Sequence, residues 1–401
     1  MERLTLKQAY DLLLARVSRI EEWEEIPLWD AAGRVLAEEM TAERDQPPFS
    51  RSPLDGYAVR SVDIQDASYD RPVELTVIDE VTAGYAADQK VAEGTAIRIM
   101  TGAPIPDGAD CIIGQEDTDY GEDVVNIYTA ASPWKNYCFQ GEDYTAGTVL
   151  LPAGTVLGAV ETGVAASAGR SSLNVCRKPA AAVICTGDEL VLPGQRLTAG
   201  KIYDSNLYTL AVRLACWNVD VVYREHAIDD ALLVAERIKE IADDVDIIIT
   251  TGGVSVGKKD IMHDVINLLG AEKIFWKIAI KPGMPTLCAQ YKNKLIICLS
   301  GNPYGAAVNL ELLVRPLIAE MSGRGDLQLR RVYTVSESAY PKRSTVTRYV
   351  RACYNGETVR ISDGSNDSGI LSTMCGCNCL IELPAGTERL NKGDKVWIIL
   401  L

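Results

Sequence analysis

Three apolar runs in the middle of the chain each break abruptly into a polar loop that contains glycine. The runs cover residues 180–185, 247–249 and 295–299, which suits short buried strands. The loops that follow them share small polar residues: Thr186, Gly187, Gly252, Gly253, Gly301, Asn302 and Pro303. Parallel strands that end in such loops at one sheet edge are typical of a doubly wound α/β domain, whose ligands bind beyond the carboxyl ends of the strands.

The second loop leads into an apolar-periodic segment that begins near Asp260 and ends at Gly270, which predicts a helix. Backbone N–H groups of a glycine-rich loop and of a helix N-terminus can hold an anion closely. Asp260 would place a carboxyl group beside that anion, an arrangement that suits phosphate bound with a divalent cation. The alternative is that Asp260 only caps its helix. A second N-terminal anion site is predicted where Tyr203-Asp-Ser-Asn206 precedes a helix at 207–214.

The N-terminal part of the chain shows a helical pattern before a boundary. A helix is predicted for residues 4–17, with Thr5 and Gln8 as a capping box, and a second helix for residues 30–37. The stretch 45–57 is rich in Pro and small polar residues, which marks a domain boundary or an ordered functional loop.

The rest of the pattern predicts β-rich units on either side of the α/β domain. Short β-rich runs separated by Gly, Pro and Asp fill residues 59–143 and predict a small β-domain. Residues 145–177 are rich in Ala and Gly and lead into an α/β domain at 179–327. Strand-like alternation in 328–401 predicts a small β-barrel or sandwich. The expected fold class is therefore a multidomain protein that combines α/β and β domains.

Composition and charge narrow the function classes. A chain of 401 residues exceeds one compact core and predicts two to four domains. The net charge of −15 argues against general nucleic-acid binding, which needs a basic surface. No stretch approaches the roughly 18 apolar residues of a membrane span, and the N-terminus lacks the layout of a signal peptide. We therefore expect a cytoplasmic protein with no nucleic-acid or membrane partner.

The 11 scattered cysteines and two histidines do not indicate a metal or disulfide framework. Cys375, Cys377 and Cys379 alternate, so they would share one face of a strand. We expect them to pack in the core, with a soft-metal site as the alternative, although the Cys-x-x-Cys spacing of zinc ribbons is absent. His226 and His263 have no partner at ligand spacing, which argues against a histidine-based metal site or triad.

Six motifs in a fixed order give the chain a family resemblance. They are Pro47-Pro-Phe-Ser-Arg-Ser-Pro-Leu-Asp-Gly-Tyr-Ala58, Thr101-Gly-Ala-Pro-Ile-Pro-Asp-Gly-Ala-Asp110, Gly141-Glu-Asp143, Thr186-Gly-Asp-Glu-Leu190, Thr251-Gly-Gly-Val-Ser-Val-Gly257 and Lys277-Ile-Ala-Ile-Lys-Pro-Gly283. Over essentially its whole length, the chain resembles the MoeA family of molybdopterin molybdenumtransferases, whose eukaryotic relative is the C-terminal region of gephyrin.

The resemblance implies an elongated homodimer whose subunits have four domains each. The implied bounds are 1–45 and 144–178 for an N-terminal helical or mixed domain, 46–143 for a small β-domain inserted into it, 179–327 for a MogA-like, molybdopterin-binding α/β domain, and 328–401 for a C-terminal β-barrel. The active cleft would lie at the carboxyl edge of the α/β domain and be completed by the inserted domain of the other subunit. A MogA-like adenylyltransferase and apo-molybdoenzymes are the implied protein partners.

The implied reaction inserts molybdenum from molybdate into the dithiolene of adenylylated molybdopterin and releases AMP, with Mg²⁺ or Zn²⁺ assisting. By alignment with the family, the catalytic candidates are Asp55, Asp143, Glu189 and Asp260, and the metal candidates are Glu189, Asp229 and Asp260. Asp55, Thr101 and Asp143 match positions that the family contributes from the partner subunit. Further substrate-binding candidates are Ser255 in the glycine-rich motif and, by a looser alignment, Arg351 and Ser368.

Two lysines and one loop refine this picture. Lys277 and Lys281 would share a face if their segment is extended, so both could meet one anion; two solvated lysines are the alternative. The loop Leu299-Ser-Gly-Asn-Pro-Tyr-Gly305 departs from the family's Leu-Pro-Gly-Asn-Pro-Val-Ser. Ser300 replaces a proline that would narrow the loop's ensemble, and we expect Tyr304 to add bulk beside the pterin.

These departures keep other functions open. A non-catalytic paralogue that binds molybdopterin or a related nucleotide is one alternative, and the retained acidic residues weigh against it. A tungsten-inserting variant is another, because the two oxyanions are nearly the same size. An adenylyltransferase acting one step earlier would need only the α/β domain, so the length of the chain disfavours it.

Overall fold

The computed structural model describes residues 3–254 and 260–401. The chain forms two compact units. One consists of Met1–Ala37, Gly154–Gly158 and Leu173–Leu401, and the other of Glu38–Ala153 and Ala159–Ser172. Among the described residues, no helix has both the length and the apolar character that crossing a lipid bilayer requires.

The first unit is built around a six-stranded mixed sheet. In spatial order its strands are Asp220–Ala227, Ala180–Thr186, Ile247–Thr251, Lys294–Leu299, Leu287–Tyr291 and Glu272–Trp276. The first four strands run parallel, and the last two are added antiparallel. The predicted α/β sheet is confirmed in its parallel part, and the antiparallel pair extends it beyond the strands expected from the sequence.

Both faces of this sheet are covered, which explains why its strands read as continuous apolar runs. Val183 and Cys185 lie in one core, whereas Ala182 and Ile184 lie in the core on the opposite face. The first core receives the helices Leu6–Leu14, Asn206–Cys216, Pro303–Asn309 and Arg315–Ser322, the last two joined by the π-helical segment Leu310–Val314. The helices Ala231–Ile241 and Met262–Leu269 cover the second face.

Five strands at the C-terminal end of the chain close into a barrel, as predicted. They are Arg331–Ser336, Thr347–Tyr354, Thr358–Ile361, Cys379–Leu383 and Lys395–Leu400. The barrel closes because Thr347–Tyr354 pairs with both Thr358–Ile361 and Cys379–Leu383. The short strand Ile280–Lys281 adds to it by pairing in parallel with Thr347 and Arg348.

The alternating cysteines do not share one buried face. Cys379 is buried in its strand, Cys377 is half-buried and Cys375 is exposed. The expectation that all three pack in the core is wrong for Cys375 and Cys377, because the strand begins only at Cys379. Across the described residues, no group of three Cys, His, Asp or Glu side chains is placed to hold a metal ion.

The second unit contains the predicted β-rich region. Its five-stranded sheet has the order Cys111–Gly114, Gly56–Val59, Thr95–Ile99, Val73–Val81 and Val124–Ile127. The unit also contains the helix Ala159–Ser167 and the strand pair Met40–Thr41 with Val149–Leu151. Two apolar clusters, one including Val59 and the other Ala58, show that neighbouring residues of Gly56–Val59 face opposite sides of the sheet.

Of the two N-terminal helices predicted, only the first forms. Thr5 caps the helix Leu6–Leu14, and its capping box with Gln8 is complete. Residues 30–37 are not helical. A short 3₁₀ turn ends at Asp30, and Gly33 then adopts a φ of 71°, which turns the chain away from a helical path.

Short strands connect the larger elements. Trp23–Pro27 pairs with Ser172–Cys176, and Leu190–Val191 pairs in parallel with Ile202–Tyr203. Along the chain, the second pair lies between the strand Ala180–Thr186 and the helix Asn206–Cys216. It therefore holds the segment that leads into that helix.

Candidate active site

The three glycine-containing loops lie side by side at the carboxyl edge of the parallel strands. Cys185 pairs with Thr251, and Thr251 pairs with Leu299, so the three strands end at the same level. At Gly252 the backbone has a φ of 93°, and a Cβ there would lie 2.2 Å from the carbonyl oxygen of Thr186. Only glycine therefore lets the second loop approach the end of the first strand so closely.

A cavity of about 590 Å³ opens above these loops. We call it the acidic cavity. Among its lining residues are the predicted Thr186, Gly187, Glu189, Asp229, Gly252, Gly253, Asp260, Gly301, Asn302 and Pro303. The prediction that the three loops meet at one edge is confirmed. Ser255, predicted from the same motif, lies outside the described residues.

Among the described residues that line this cavity, the charged side chains are all carboxyl groups. Glu189 folds back toward the backbone, and a Cβ on Gly187 would lie 2.8 Å from its Oε2. Asp188 and Asp229 are held together, because each backbone N–H donates to the other's carboxyl group at 3.2 Å. Asp260 precedes the helix that begins at Met262.

The donor chemistry of these residues fits magnesium. Mg²⁺ prefers oxygen ligands and commonly binds through one or two carboxylates together with substrate phosphates. Glu189, Asp229 and Asp260 offer such oxygens, and the lining contains no cysteine or histidine of the kind that zinc favours. Within the described part of the chain the three do not form a complete ligand group by themselves.

A second cavity, of about 530 Å³, adjoins the first and shares Pro285, Ser300 and Asn302 with it. We call it the basic cavity because its described lining contains two cations, Lys281 and Arg348, and one acidic residue, Asp367. The register between the strands Ile280–Lys281 and Thr347–Tyr354 pairs Lys281 with Arg348, and this pairing brings the two cations together. Arg348 was missed by the sequence analysis, because its neighbour Lys281 is 67 positions away.

Arg348 is only partly engaged by protein groups. Its Nη1 donates to the hydroxyl of Tyr340 at 3.3 Å, and its guanidinium lies 5.7 Å from the centre of that ring. Its Nε is buried and makes no hydrogen bond within the described residues. The guanidinium therefore retains donors beside the basic cavity.

Lys277 does not join Lys281. Its φ is 70°, which breaks the predicted extended segment, and its ammonium group lies 3.9 Å from the centre of the Trp276 ring. Lys277 is absent from the lining of either cavity, whereas Lys281 lines the basic one. The extended segment on which the shared face depends is therefore interrupted at Lys277, and substrate binding by Lys277 stays a prediction.

Comparison with known proteins identifies the family. The chain matches the description "MoeA N-terminal region (domain I and II)" over residues 4–169, "Probable molybdopterin binding domain" over 182–320 and "MoeA C-terminal region (domain IV)" over 334–401. A Staphylococcus aureus (strain MSSA476) protein named molybdopterin molybdenumtransferase is 36% identical over 94% of this chain and 90% of its own length. The chain belongs to the MoeA family.

Further relatives agree with this membership. A protein of Bacillus subtilis (strain 168), also named molybdopterin molybdenumtransferase, is 34% identical over 95% of this chain and 90% of its own length. A crystal structure of the molybdopterin biosynthesis MoeA protein from Pyrococcus horikoshii OT3 matches with a TM-score of 0.85 at 30% identity, covering 100% of both chains. The resemblance inferred from the sequence motifs is confirmed.

The MoeA-family candidate Arg351 is fully buried. Its Nη2 donates to the carbonyl oxygen of Asp367 at 2.8 Å, its Nη1 donates to that of Ile370, and its guanidinium lies 3.7 Å from the centre of the Tyr304 ring. Burial lowers the pKa of Arg351. Arg351 thus holds the loop that carries Ser368 and contributes to neither cavity lining.

Ser368 itself lies at the junction of the two cavities. It lines the basic cavity, and its hydroxyl accepts a hydrogen bond from the amide nitrogen of Asn302 at 3.2 Å. Its carbonyl oxygen accepts from the backbone N–H of Tyr304 at 3.0 Å. The barrel loop is therefore tied directly to the third glycine-containing loop.

The unusual MoeA-family loop at 299–305 is well packed. The Ser300 hydroxyl accepts from the backbone N–H of Asn302 at 3.3 Å, a local bond that partly replaces the restraint of the family's proline. A Cβ at Gly305 would lie 3.4 Å from the Cβ of Ser300 and 3.3 Å from the nitrogen of Gly283, so glycine suits this neighbourhood.

Tyr304 does not crowd the ligand space. It is buried, its hydroxyl donates to the carbonyl oxygen of Tyr349 at 2.9 Å, and neither cavity is lined by it. The expectation that Tyr304 adds bulk beside a pterin is wrong, because the ring turns inward beneath Arg351.

The predicted residues of the second unit lie in two places. Asp55 accepts hydrogen bonds from the hydroxyl and the backbone N–H of Thr101, both at 2.7 Å, and these two bonds, the hydroxyl first, lower the pKa of Asp55. Asp143 is exposed, and its backbone N–H donates to the carbonyl oxygen of Gln46 at 2.9 Å. The structure thus pairs Asp55 with Thr101.

Proposed function

We propose that this MoeA-family protein is a molybdopterin molybdenumtransferase. It transfers molybdenum from molybdate to the dithiolene of adenylylated molybdopterin, and AMP is released. The names of its relatives support this activity, as does the match to a probable molybdopterin-binding domain. No observation favours the non-catalytic alternative, since the departing loop keeps its packing and the acidic residues line one cavity.

The observation that carries the proposal is the contact between an acidic and a basic cavity. The acidic cavity suits the pterin and its phosphates together with a divalent cation. The basic cavity, with Lys281, Arg348 and Ser368, suits an oxyanion such as molybdate. Ser300 and Asn302 line both, so the two ligands would meet above one loop.

The catalytic residues we propose are Asp55, Asp143, Glu189 and Asp260. Glu189, Asp229 and Asp260 would hold Mg²⁺, with Zn²⁺ the less suited ion, and the cation would neutralise negative charge that develops on the phosphate during release of AMP. The loop N–H groups around Gly252, Gly253 and Gly301 orient the anionic part of the substrate.

The family resemblance supports a particular assembly. We propose a homodimer in which Asp55, Thr101 and Asp143 serve the cleft of the partner subunit. A MogA-like adenylyltransferase would supply the substrate, and apo-molybdoenzymes would receive the product. The cytoplasmic location and the four-domain division remain predictions.

The experiment that tests this function is cofactor reconstitution. Full-length protein is mixed with adenylylated molybdopterin, Mg²⁺ and low molybdate, and AMP release and activation of an apo-molybdoenzyme are followed together. Coupled appearance of both signals is the expected result. Retention of ligand with neither signal would contradict the proposal, and tungstate in place of molybdate distinguishes the metal.

Variants link the reaction to the two cavities. Asp260→Ala and Lys281→Ala should each lower the rate by about 100-fold or more, because each removes a charge that acts in the site. Asp243→Asn and Lys239→Ala are the controls, since both residues lie outside the two cavities. A folded Asp260→Ala or Lys281→Ala variant with wild-type activity would overturn that residue's role.

A further inference from the structure

Asp204 is a buried acidic residue in the floor of the acidic cavity to which the sequence analysis gave no role of its own. It lies between the strand Ile202–Tyr203 and the helix Asn206–Cys216. Only 1% of its surface is exposed, and it lines the cavity beside Asn206. Burial of an acidic side chain at a ligand cavity is costly unless its oxygens are hydrogen-bonded.

The hydrogen bonds of Asp204 leave one oxygen over. Its Oδ1 accepts from the backbone N–H of Leu207 at 3.0 Å, and its own backbone N–H donates to Val191. Its Oδ2 is buried and receives no hydrogen bond from any described residue. The thiol of Cys185 lies beside the Asp204 carboxyl group, and its pKa is raised first by burial and then by the charge and side-chain hydrogen bonding of Asp204. A thiol is only a weak donor, so Oδ2 still lacks a full hydrogen bond.

The neighbouring polar groups of the floor are already used. The side-chain amide nitrogen of Asn206 donates to the carbonyl oxygen of Gly301 at 2.8 Å. The hydroxyl of Thr186 donates to the backbone carbonyl oxygen of Thr251 at 3.3 Å. These bonds hold the loops in place. The Oδ2 atom of Asp204 is a buried carboxyl oxygen to which none of these described groups donates, so it can accept a hydrogen bond from a ligand.

This oxygen selects the chemistry of its partner. An acceptor calls for an N–H or O–H donor, and a carboxyl group disfavours phosphate or molybdate at the same point. The Asp204 carboxyl group already takes the N–H of Leu207, so the anion site predicted at the start of the helix Asn206–Cys216 has one donor fewer than expected.

We propose that Asp204 binds the aminopyrimidine edge of the pterin, accepting a hydrogen bond from its 2-amino group. This inference rests on the proposed function, which supplies a pterin as ligand. A pterin presents two adjacent N–H donors on that edge. Adenine presents one amino group beside a ring nitrogen whose lone pair would face the carboxyl oxygen, so the pterin half of the substrate is the better match.

Asp204→Asn is the informative substitution. Aspartate has two acceptor oxygens, one for Leu207 and one for the ligand, whereas asparagine has a single acceptor oxygen and an amide that only donates. The variant can therefore keep the helix cap or the ligand bond, but not both. Asp230→Asn is the matched control, because the Asp230 carboxyl group likewise caps a helix, through the N–H groups of Leu232 and Leu233.

Binding of molybdopterin and of AMP to the full-length protein is measured separately by equilibrium dialysis. Asp204→Asn should weaken molybdopterin binding by about 10-fold or more and change AMP binding by less than about twofold. Asp230→Asn should leave both unchanged. An equal loss for both ligands, or no loss for molybdopterin in a variant that unfolds at the same urea concentration as the wild type and so keeps its helix cap, would overturn the proposal.

A second measurement needs no variant and covers the case in which Asp204→Asn does not fold. Wild-type protein is titrated with pterin and with 2,4-dioxopteridine, in which a carbonyl oxygen replaces the 2-amino group. Pterin should bind about 10-fold more tightly. Equal binding would refute the role of Asp204.

The two proposals fail in different ways. Pterin binding that depends on Asp204, without AMP release in the reconstitution, would overturn the transferase function and leave the Asp204 assignment in place. Metal insertion by Asp204→Asn with unchanged molybdopterin affinity would overturn only the assignment. A wild-type protein that binds no pterin would overturn both.

Discussion

At the scale of single residues, the side chains proposed to act in the reaction are held by very local bonds. Asp55 receives both the hydroxyl and the backbone N–H of Thr101, and these two donors favour its charged form. A predicted catalytic carboxylate is thus kept ionised and oriented by its neighbour. The same reasoning separates Lys281, which lines a cavity, from Lys277, which lies against Trp276.

Thr101→Val should raise the pKa of Asp55 toward its ordinary value of 3.8. The hydroxyl donor is lost, and the backbone N–H remains, so part of the lowering should persist. A carboxyl ¹³C titration by NMR measures the shift. Thr95→Val, which removes a hydroxyl elsewhere in the same sheet, should leave the Asp55 curve in place. An unchanged curve in Thr101→Val would show that the hydroxyl bond does not act on Asp55.

At the scale of elements, the loop that carries Ser368 is held by a buried arginine. Arg351 stands in the strand Thr347–Tyr354 and bonds two carbonyl oxygens of the loop, those of Asp367 and Ile370. The loop in turn bonds Asn302 and Tyr304. The barrel therefore positions Ser368 in the lining of the basic cavity, and Arg351 contributes indirectly by holding the loop that carries Ser368.

Arg351→Lys should destabilise the protein by roughly 2 to 3 kcal/mol, because a single ammonium nitrogen cannot replace the three guanidinium nitrogens that bond Asn366, Asp367 and Ile370. Urea unfolding measures the loss, and faster hydrogen exchange at 366–370 locates it. Arg389→Lys, an exposed position in the same barrel region, is the control. Wild-type stability in Arg351→Lys would instead favour a role in ligand binding only.

At the amino ends of the parallel strands, the carboxylate of Asp246 joins two neighbouring strands. Asp246 precedes the strand Ile247–Thr251, bonds the Arg177 guanidinium at 2.6 and 3.0 Å, and accepts from the backbone N–H of Ala180 at 2.8 Å. Burial alone would raise the pKa of Asp246, but these bonds outweigh it and the pKa is lowered. The starts of two parallel strands are thereby joined.

This lowered pKa makes the stabilisation depend on pH. In acid the unfolded chain protonates Asp246 near 3.8, before the folded chain does, so the contribution is complete above that value and is lost as pH falls through the lower folded pKa. Asp246→Asn should cost about 1–3 kcal/mol at pH 7. The gap between wild type and variant should close below pH 3.8.

Urea midpoints at several pH values between neutrality and strong acid measure this gap. Asp220→Asn, an exposed carboxyl at the same edge of the sheet, is the control. A gap that stays constant into strong acid would mean that Asp246 does not stabilise the fold through its charge.

Local patterns could be predicted from sequence, and long-range registers could not. The strands before Thr186, Thr251 and Ser300 are evident because apolar runs end in glycine loops. The pairing of Lys281 with Arg348 depends on how two distant strands meet, which no local pattern encodes. The Oδ2 atom of Asp204 can likewise be recognised as lacking a hydrogen-bond donor only when the positions of its described neighbours in the fold are known.

Local patterns also misled where a single residue broke them. The helix predicted for 30–37 fails at Gly33, and the extended segment predicted around Lys277 fails at that residue's left-handed backbone. Tyr304 was expected in the ligand space because the sequence places it in the loop 299–305 but does not show toward which side its ring points. Residues of separate family motifs, among them Glu189 and Gly252, line one cavity, a grouping that periodicity alone does not predict.

At the scale of the whole molecule, the resemblance predicts that two subunits build each cleft. Asp55 belongs to the second unit, whereas Asp260 belongs to the first. In a homodimer with exchanged contributions, a subunit that lacks Asp55 still offers Asp260 to its partner. Mixed dimers of two inactive variants would then contain one intact cleft each.

Equal amounts of Asp55→Ala and Asp260→Ala subunits, dissociated and reassembled together, should therefore recover about one quarter of wild-type activity. AMP release measures the recovery. Glu189→Ala with Asp260→Ala is the matched control, because both changes lie in the first unit and no mixed dimer restores a cleft. A first mixture that stays inactive would place all the catalytic residues within one subunit.

The barrel shares an apolar core with the six-stranded sheet and is not a separable domain. Tyr349, Leu380 and Ile399 belong to the same apolar core as the sheet, and Arg315 donates to the carbonyl oxygen of Leu400 at 2.9 Å. A gene shortened before residue 328 would uncover that core, and Lys281 would lose the strand that sets it beside Arg348. Binding of an apolar dye by the shortened protein would reveal the uncovered surface. Substitutions in the barrel therefore act on the cavities through this shared core and through the strand that pairs with Lys281.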